Sequence, residues 1–130
     1  MAERKLIQEW LQKADEDLNF AASIIEDSTF YAQICFHFQQ AAEKYLKALV
    51  VADDLEFQKI HDLVTLLKIC SASRPDIATL MPSCKLLNRF YTDTRYPVHW
   101  PTDYSKDKAA QAQAAAEKIR DTIKAYLGQP

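Results

Sequence analysis

The hydrophobic pattern of the chain is strongest from Tyr31 to Ala52, YAQICFHFQQAAEKYLKALVVA. Neither glycine nor proline interrupts this stretch, which suits a helix of about six turns. Ile34, Phe38, Ala41, Tyr45 and Leu49 fall on one stripe at 100° per residue, the spacing of a buried helix face. Cys35, Ala42 and Leu46 widen the stripe, and Ala32, Phe36 and Val50 carry the apolar surface further round. Gln33, His37, Gln40, Lys44 and Lys47 form the uninterrupted polar strip, with Gln39 and Glu43 beside it. A surface helix needs a narrower apolar face. This segment is therefore expected at the centre of a bundle, with one side, near Cys35, Phe36 and Gln39, towards a second copy of the chain.

The flanking segments read as further helices. Trp10, Ala14, Leu18, Ala21 and Ile25 keep helical spacing from about Glu3 to Glu26, and Asp27-Ser28-Thr29 end that helix through local side-chain hydrogen bonds. His61 or Asp62 can cap a third helix that turns Leu63, Leu66, Leu67 and Cys70 inward. A fourth begins near Pro75 and continues through Ile77, Leu80, Cys84, Leu87 and Phe90; Pro82 either bends it or marks its true start. Thr92 to Ser105, TDTRYPVHWPTDYS, is the longest irregular stretch, because Pro97 and Pro101 forbid regular helix. The last helix starts from Ser105 as N-cap, buries Ala109, Ala112, Ala116, Ile119 and Ile123, and stops at Gly128. The expected fold is all-α, an up-and-down bundle of four to five helices in a single domain over residues 1–130.

Composition narrows the function classes. The one glycine leaves no material for a P-loop, a GxGxxG turn or a GxSxG nucleophile elbow. A net charge of −2 gives no overall pull toward nucleic acid. Residues 1–30 are acidic, whereas lysine and arginine outnumber aspartate and glutamate from Lys85 onward; a local basic patch competes there with an ordinary solvated helix face. The three cysteines form no CxxC pair and occupy apolar positions, as buried thiols of a cytoplasmic protein do. No stretch reads as a membrane span or anchor. Glu-x-x-His is absent and no His or Cys pair has zinc spacing, so neither a metal nor another cofactor is expected.

Candidate chemistry concentrates after the fourth helix, where Tyr91, Arg95, Tyr96, His99, Trp100 and Tyr104 crowd one proline-stiffened stretch. A guanidinium holds phosphate in a planar fork, imidazole exchanges a proton near neutral pH, and aromatic rings stack on bases. The plainer alternative makes Tyr96 and Trp100 a plug for the bundle end and Arg95 a cap on helix carbonyls. His61, Lys44 and Lys47 are further candidates for binding a nucleotide or RNA, and on the plain view His61, at a helix start, is a capping or hydrogen-bonding residue. His37 is then exposed or bonded between helices, and Lys44 and Lys47 are solvated rather than facing a polyanion.

Three blocks, FHFQQAAEKYLKAL, KIHDLVTLL and LNRFYTDTRYP, resemble the HEPN domains, small all-helical proteins of prokaryotes. The resemblance spans most of the chain. It implies a homodimer, and a partnership with an MNT-type nucleotidyltransferase. In toxin members of the family the chain is a metal-independent ribonuclease with an Arg-x4–6-His site built from both subunits. Arginine there supports the scissile phosphate, and histidine acts as acid or base. Arg95 and His99 stand only three residues apart, Tyr96 replaces the usual polar residue, and Pro101 occupies the place of a tyrosine that a partner modifies; Tyr104 is the nearest tyrosine downstream. The RYP block is similar to a branch whose ribonuclease motif is degraded and which is often described as nucleotide-binding. Three functions follow from the resemblance: a nucleotide- or RNA-binding regulatory partner, a toxin ribonuclease using Arg95 and His99, or a structural docking partner of the nucleotidyltransferase.

Overall fold

The computed structural model describes residues 2–56, 59–93 and 104–128. Helix α1 spans Ala2–Ile24, α2 Tyr31–Ala52, α3 Leu63–Ser73, α4 Met81–Asn88, α5 Phe90–Asp93 and α6 Lys106–Tyr126, with a 3-10 segment at Pro75–Leu80 between α3 and α4. Among the described residues there is no strand, and the architecture is an all-α bundle. Within them, no helix is long and apolar enough to cross a membrane.

Helix α2 is the axis. It touches α1, α3, α4, α5 and α6, and packs most extensively against α1 and then α6. Ile34, Phe38, Ala41, Tyr45 and Leu49 have no exposed surface, and Cys35, Ala42 and Leu46 are equally covered. Each large apolar side chain withdrawn from water contributes about 1.5–3 kcal/mol, which makes this stripe the main stabilising surface of the bundle. Cys35 and Gln39, expected at a dimer face, are already fully covered by the chain's own helices. The helix is also covered more completely than its polar strip suggests: Gln39, Glu43 and Lys47 are all buried.

The termini of the helices have local causes. Ser105, in extended backbone, accepts a hydrogen bond from the Lys108 amide and starts α6. Asp62, not His61, caps α3, accepting from the amides of Val64 and Thr65 at 3.0 and 3.2 Å. Asp54 ends α2 at φ 54°, a left-handed position usually given to glycine. Around it the Leu55 amide donates to the Val50 carbonyl and the Asp54 amide to Val51, which satisfies two carbonyls the helix end would otherwise leave open. Arg74, after α3, grips the Asp53 carboxylate through Nε and Nη2 at 2.7 and 2.8 Å and lies 5.2 Å from the Tyr126 ring centroid, tying together the ends of α2, α3 and α6.

The single fourth helix expected from Pro75 to Phe90 is divided. Pro75 starts the 3-10 segment, and Pro82 lies in the first turn of α4, where its missing N–H costs nothing. Pro82 thus marks a true start, and Ile77, Leu80, Cys84, Leu87 and Phe90 are still all buried. Helical backbone persists to Asp93, one residue past the expected start of the irregular stretch.

Cys35, Cys70 and Cys84 are free, buried thiols. Burial pushes each up from the ordinary 9.0 to about 12, since a thiolate loses its hydration inside the bundle. Burial and a hydrogen bond to Asp15 likewise push the Tyr45 phenol up. Between about pH 9 and 12 the unfolded chain releases thiol protons that the folded chain keeps, so unfolding gains in that window. The stability carried by the protonated thiols is complete below pH 9 and lost progressively toward 12. Urea unfolding across that range should show a falling midpoint. At neutral pH all three thiols should resist a disulfide reagent until denaturant is added; rapid labelling of the native protein would contradict their burial.

Candidate functional site

Gln39, Glu43 and Lys47 follow each other at four-residue intervals on α2, so helix geometry alone places them in a row. Tertiary packing then closes a lid over that row. The Glu43 carboxylate, 4% exposed, receives Lys47 Nζ at 2.8 Å on Oε2 and the Gln39 amide at 3.4 Å on Oε1. His61 completes the set, with Nδ1 at 3.0 Å from Oε1 and 3.1 Å from Oε2. Facing a carboxylate, Nδ1 donates, which selects the ring tautomer and its orientation. Gln39 also donates to the His61 carbonyl at 3.4 Å and accepts from Gln40 at 2.8 Å.

The His61 ring stacks on Tyr91, with centroids 4.3 Å apart and planes 13° from parallel. Tyr91 in turn lies 6.2 Å from Phe36 at 27°. Three near-parallel rings from α2, the start of α3 and α5 therefore form one column. Asn88 sets its spacing: its side-chain amide donates to Asp62 at 3.0 Å, and its carbonyl oxygen accepts from the Leu63 amide at 2.7 Å. That double link holds the α3 cap against the end of α4, three residues before Tyr91. The His61 side chain is nonetheless 46% exposed. The arrangement is a buried carboxylate supporting a half-open imidazole on an aromatic backing, a construction able to present a planar, polar-edged ring to a ligand.

Other singled-out residues have structural employment. His37 meets Asp17 of α1 at 3.2 Å, and Lys44 pairs with the second oxygen of the same carboxylate. Asp15, two residues earlier, accepts from the buried Tyr45 hydroxyl and from Lys124 of α6 at 2.9 Å. His37 is thus the helix-to-helix bond foreseen as its plain role. Lys47 departs from the expected solvent-facing cation: it is 6% exposed, paired with Glu43 and 5.7 Å from the Trp10 ring centroid. Neither lysine offers an open charge to a polyanion. Tyr104 is half-buried, packs on Phe90 at 5.8 Å and carries Lys108 5.3 Å from its ring centroid. Arg95, Tyr96, His99 and Trp100 lie outside the described residues.

Glu43, Gln39 and Asn88 are the site residues that sequence reasoning missed. The available signal was an acidic residue four positions from both Gln39 and Lys47, beside a stripe too wide to leave it in solvent. A buried ion pair broken on one side leaves an uncompensated charge, at about 3–5 kcal/mol. Glu43→Leu should therefore destabilise the protein by about 3 kcal/mol, whereas the double change Glu43→Leu/Lys47→Met should recover most of that loss. Urea unfolding of the wild type, each single variant and the double variant measures the coupling; additive losses would refute it.

The similarity to known proteins extends over most of the chain. TT1696 from Thermus thermophilus superposes with a TM-score of 0.76 at 30% identity, over 91% of this chain and 95% of its own. ST0689, described as an archaeal HEPN homologue, superposes with a TM-score of 0.75 at 26% identity, over 92% and 96%. The Methanocaldococcus jannaschii protein named Putative toxin MJ1304 is 23% identical over 131 residues, covering 91% of this chain and 86% of that protein. The HEPN domain matches residues 7–126. With nearly its whole length accounted for, this chain belongs to the HEPN domain family.

Proposed function

We propose that the chain is a nucleotide- or RNA-binding HEPN module, acting in the cytoplasm as a homodimer and as regulatory partner of an MNT-type nucleotidyltransferase. The observation that carries this reading is the His61–Tyr91 stack anchored on buried Glu43. It stands at the end of α5, where the chain continues into the segment holding Arg95, Tyr96, His99 and Trp100. Aromatic faces for bases and a guanidinium for phosphate are thereby joined in one stretch of chain. Association with a second copy is in keeping with the exposed rings of Phe20 and Phe30, 51% and 69% accessible, and with half-buried Phe36 on α2.

A second reading has its own support in the relative named as a toxin. On that reading Arg95 steadies the scissile phosphate and His99 moves the proton, as the family resemblance implies, despite an interval of three residues.

Incubating wild type, Arg95→Ala and His99→Ala with labelled structured RNA in EDTA separates the two. The binding reading expects intact RNA with all three proteins and a salt-dependent shift in fluorescence anisotropy with the wild type. The ribonuclease reading expects cleavage by the wild type that falls at least about 100-fold in His99→Ala. Wild type that neither binds nor cleaves RNA, and binds no nucleotide, refutes both.

A further inference from the structure

His61 has more structure invested in it than its place in the chain requires. Asp62 already caps α3, so the imidazole is not needed there. Instead both oxygens of a buried carboxylate hold its Nδ1, and Tyr91 covers one of its faces at 4.3 Å and 13°. Burying Glu43 to do this costs desolvation that a plain apolar residue would avoid, so stability alone is a poor explanation of the arrangement. The result is a ring whose plane is set beforehand, and rigid aromatic surfaces bind with little loss of conformational freedom. Its second face makes no ring contact with a described residue, and the side chain is 46% exposed.

From this geometry, and resting on the nucleotide- or RNA-binding reading above, we infer that the open face of His61 is a nucleobase-stacking site. A base placed there would be the fourth ring in the column Phe36–Tyr91–His61, with Glu43 as the positioning residue that holds the imidazole flat beneath it. Lys59 and Arg89, from the same two segments, are exposed, with Arg89 lying 5.7 Å from the Phe90 ring centroid. The stack itself is indifferent to base identity, because every base has a π face.

The test compares AMP, a short oligoadenylate and an abasic oligomer of the same length, each titrated into wild type, His61→Ala and His61→Phe. Base-aromatic stacking predicts that His61→Ala weakens oligoadenylate binding about tenfold. His61→Phe, which keeps a ring but loses the Glu43 hydrogen bond that sets its plane, should fall between wild type and His61→Ala, and neither variant should change affinity for the abasic oligomer. Tight AMP binding would assign the site to a mononucleotide; binding of oligoadenylate alone would assign it to a single strand. In NMR spectra of the wild type, the His61 ring protons should move upfield as the base-containing ligand is added, a signature independent of whether either variant folds. Wild type that binds oligoadenylate with no upfield shift and no loss in His61→Ala overturns the stacking site but leaves the RNA-binding reading in place. Wild type that binds none of the three probes overturns that reading itself.

Discussion

The near-complete enclosure of α2 is the constraint from which the rest of the structure follows. A helix with neighbours on five elements keeps little solvent face for its polar side chains, Gln33 at its start being exposed. Each one that is covered must therefore be answered by a group from elsewhere in the chain, because an unanswered buried charge is costly. Asp17 answers His37 and Lys44, and Asp15 answers Tyr45 while reaching Lys124 of α6. Acidic residues of α1 that look like an exposed charged face in the sequence are in fact the clamps between α1, α2 and α6.

On the other flank of α2 the same constraint generates the candidate site. Glu43 and Lys47 neutralise each other along one helix, as an i, i+4 pair does. A carboxylate has more acceptor capacity than one ammonium fills, and the remainder draws in Gln39 and the His61 imidazole. His61 arrives from the connection before α3, and Asn88 fastens that connection to the end of α4. Tyr91 lies flat against that imidazole.

Much of the fold was legible. The stripe from Ile34 to Leu49, the Ser105 cap and the Gly128 stop all appear as read, because each depends on residues within a turn or two of one another. Pro82 could bend a helix or begin one, and it is the separate 3-10 segment before Met81 that shows it begins α4. Of the dimer face expected at Cys35, Phe36 and Gln39, Cys35 and Gln39 are covered within the chain and Phe36 is half-buried: a wide apolar surface says that a helix is covered, not by what. The Lys47 strip was misread because periodicity assigns a side chain to an angle on a helix and cannot tell whether another element lies at that angle.

By itself, the sequence determined the helices, their buried stripe, the absence of glycine-dependent nucleotide loops and the three blocks that mark a HEPN domain. Those properties are local, set by a backbone period of 3.6 residues and by side chains that begin or end it. Tertiary structure alone decided that Glu43 would meet His61 across an 18-residue separation, and that Asn88 would bridge 26 residues to Asp62. Such contacts depend on how whole helices cross and on which polar groups burial leaves to be satisfied. No spacing along the chain encodes that. The chemistry of the site lies in those crossings, while the material for it lies in plain view along α2.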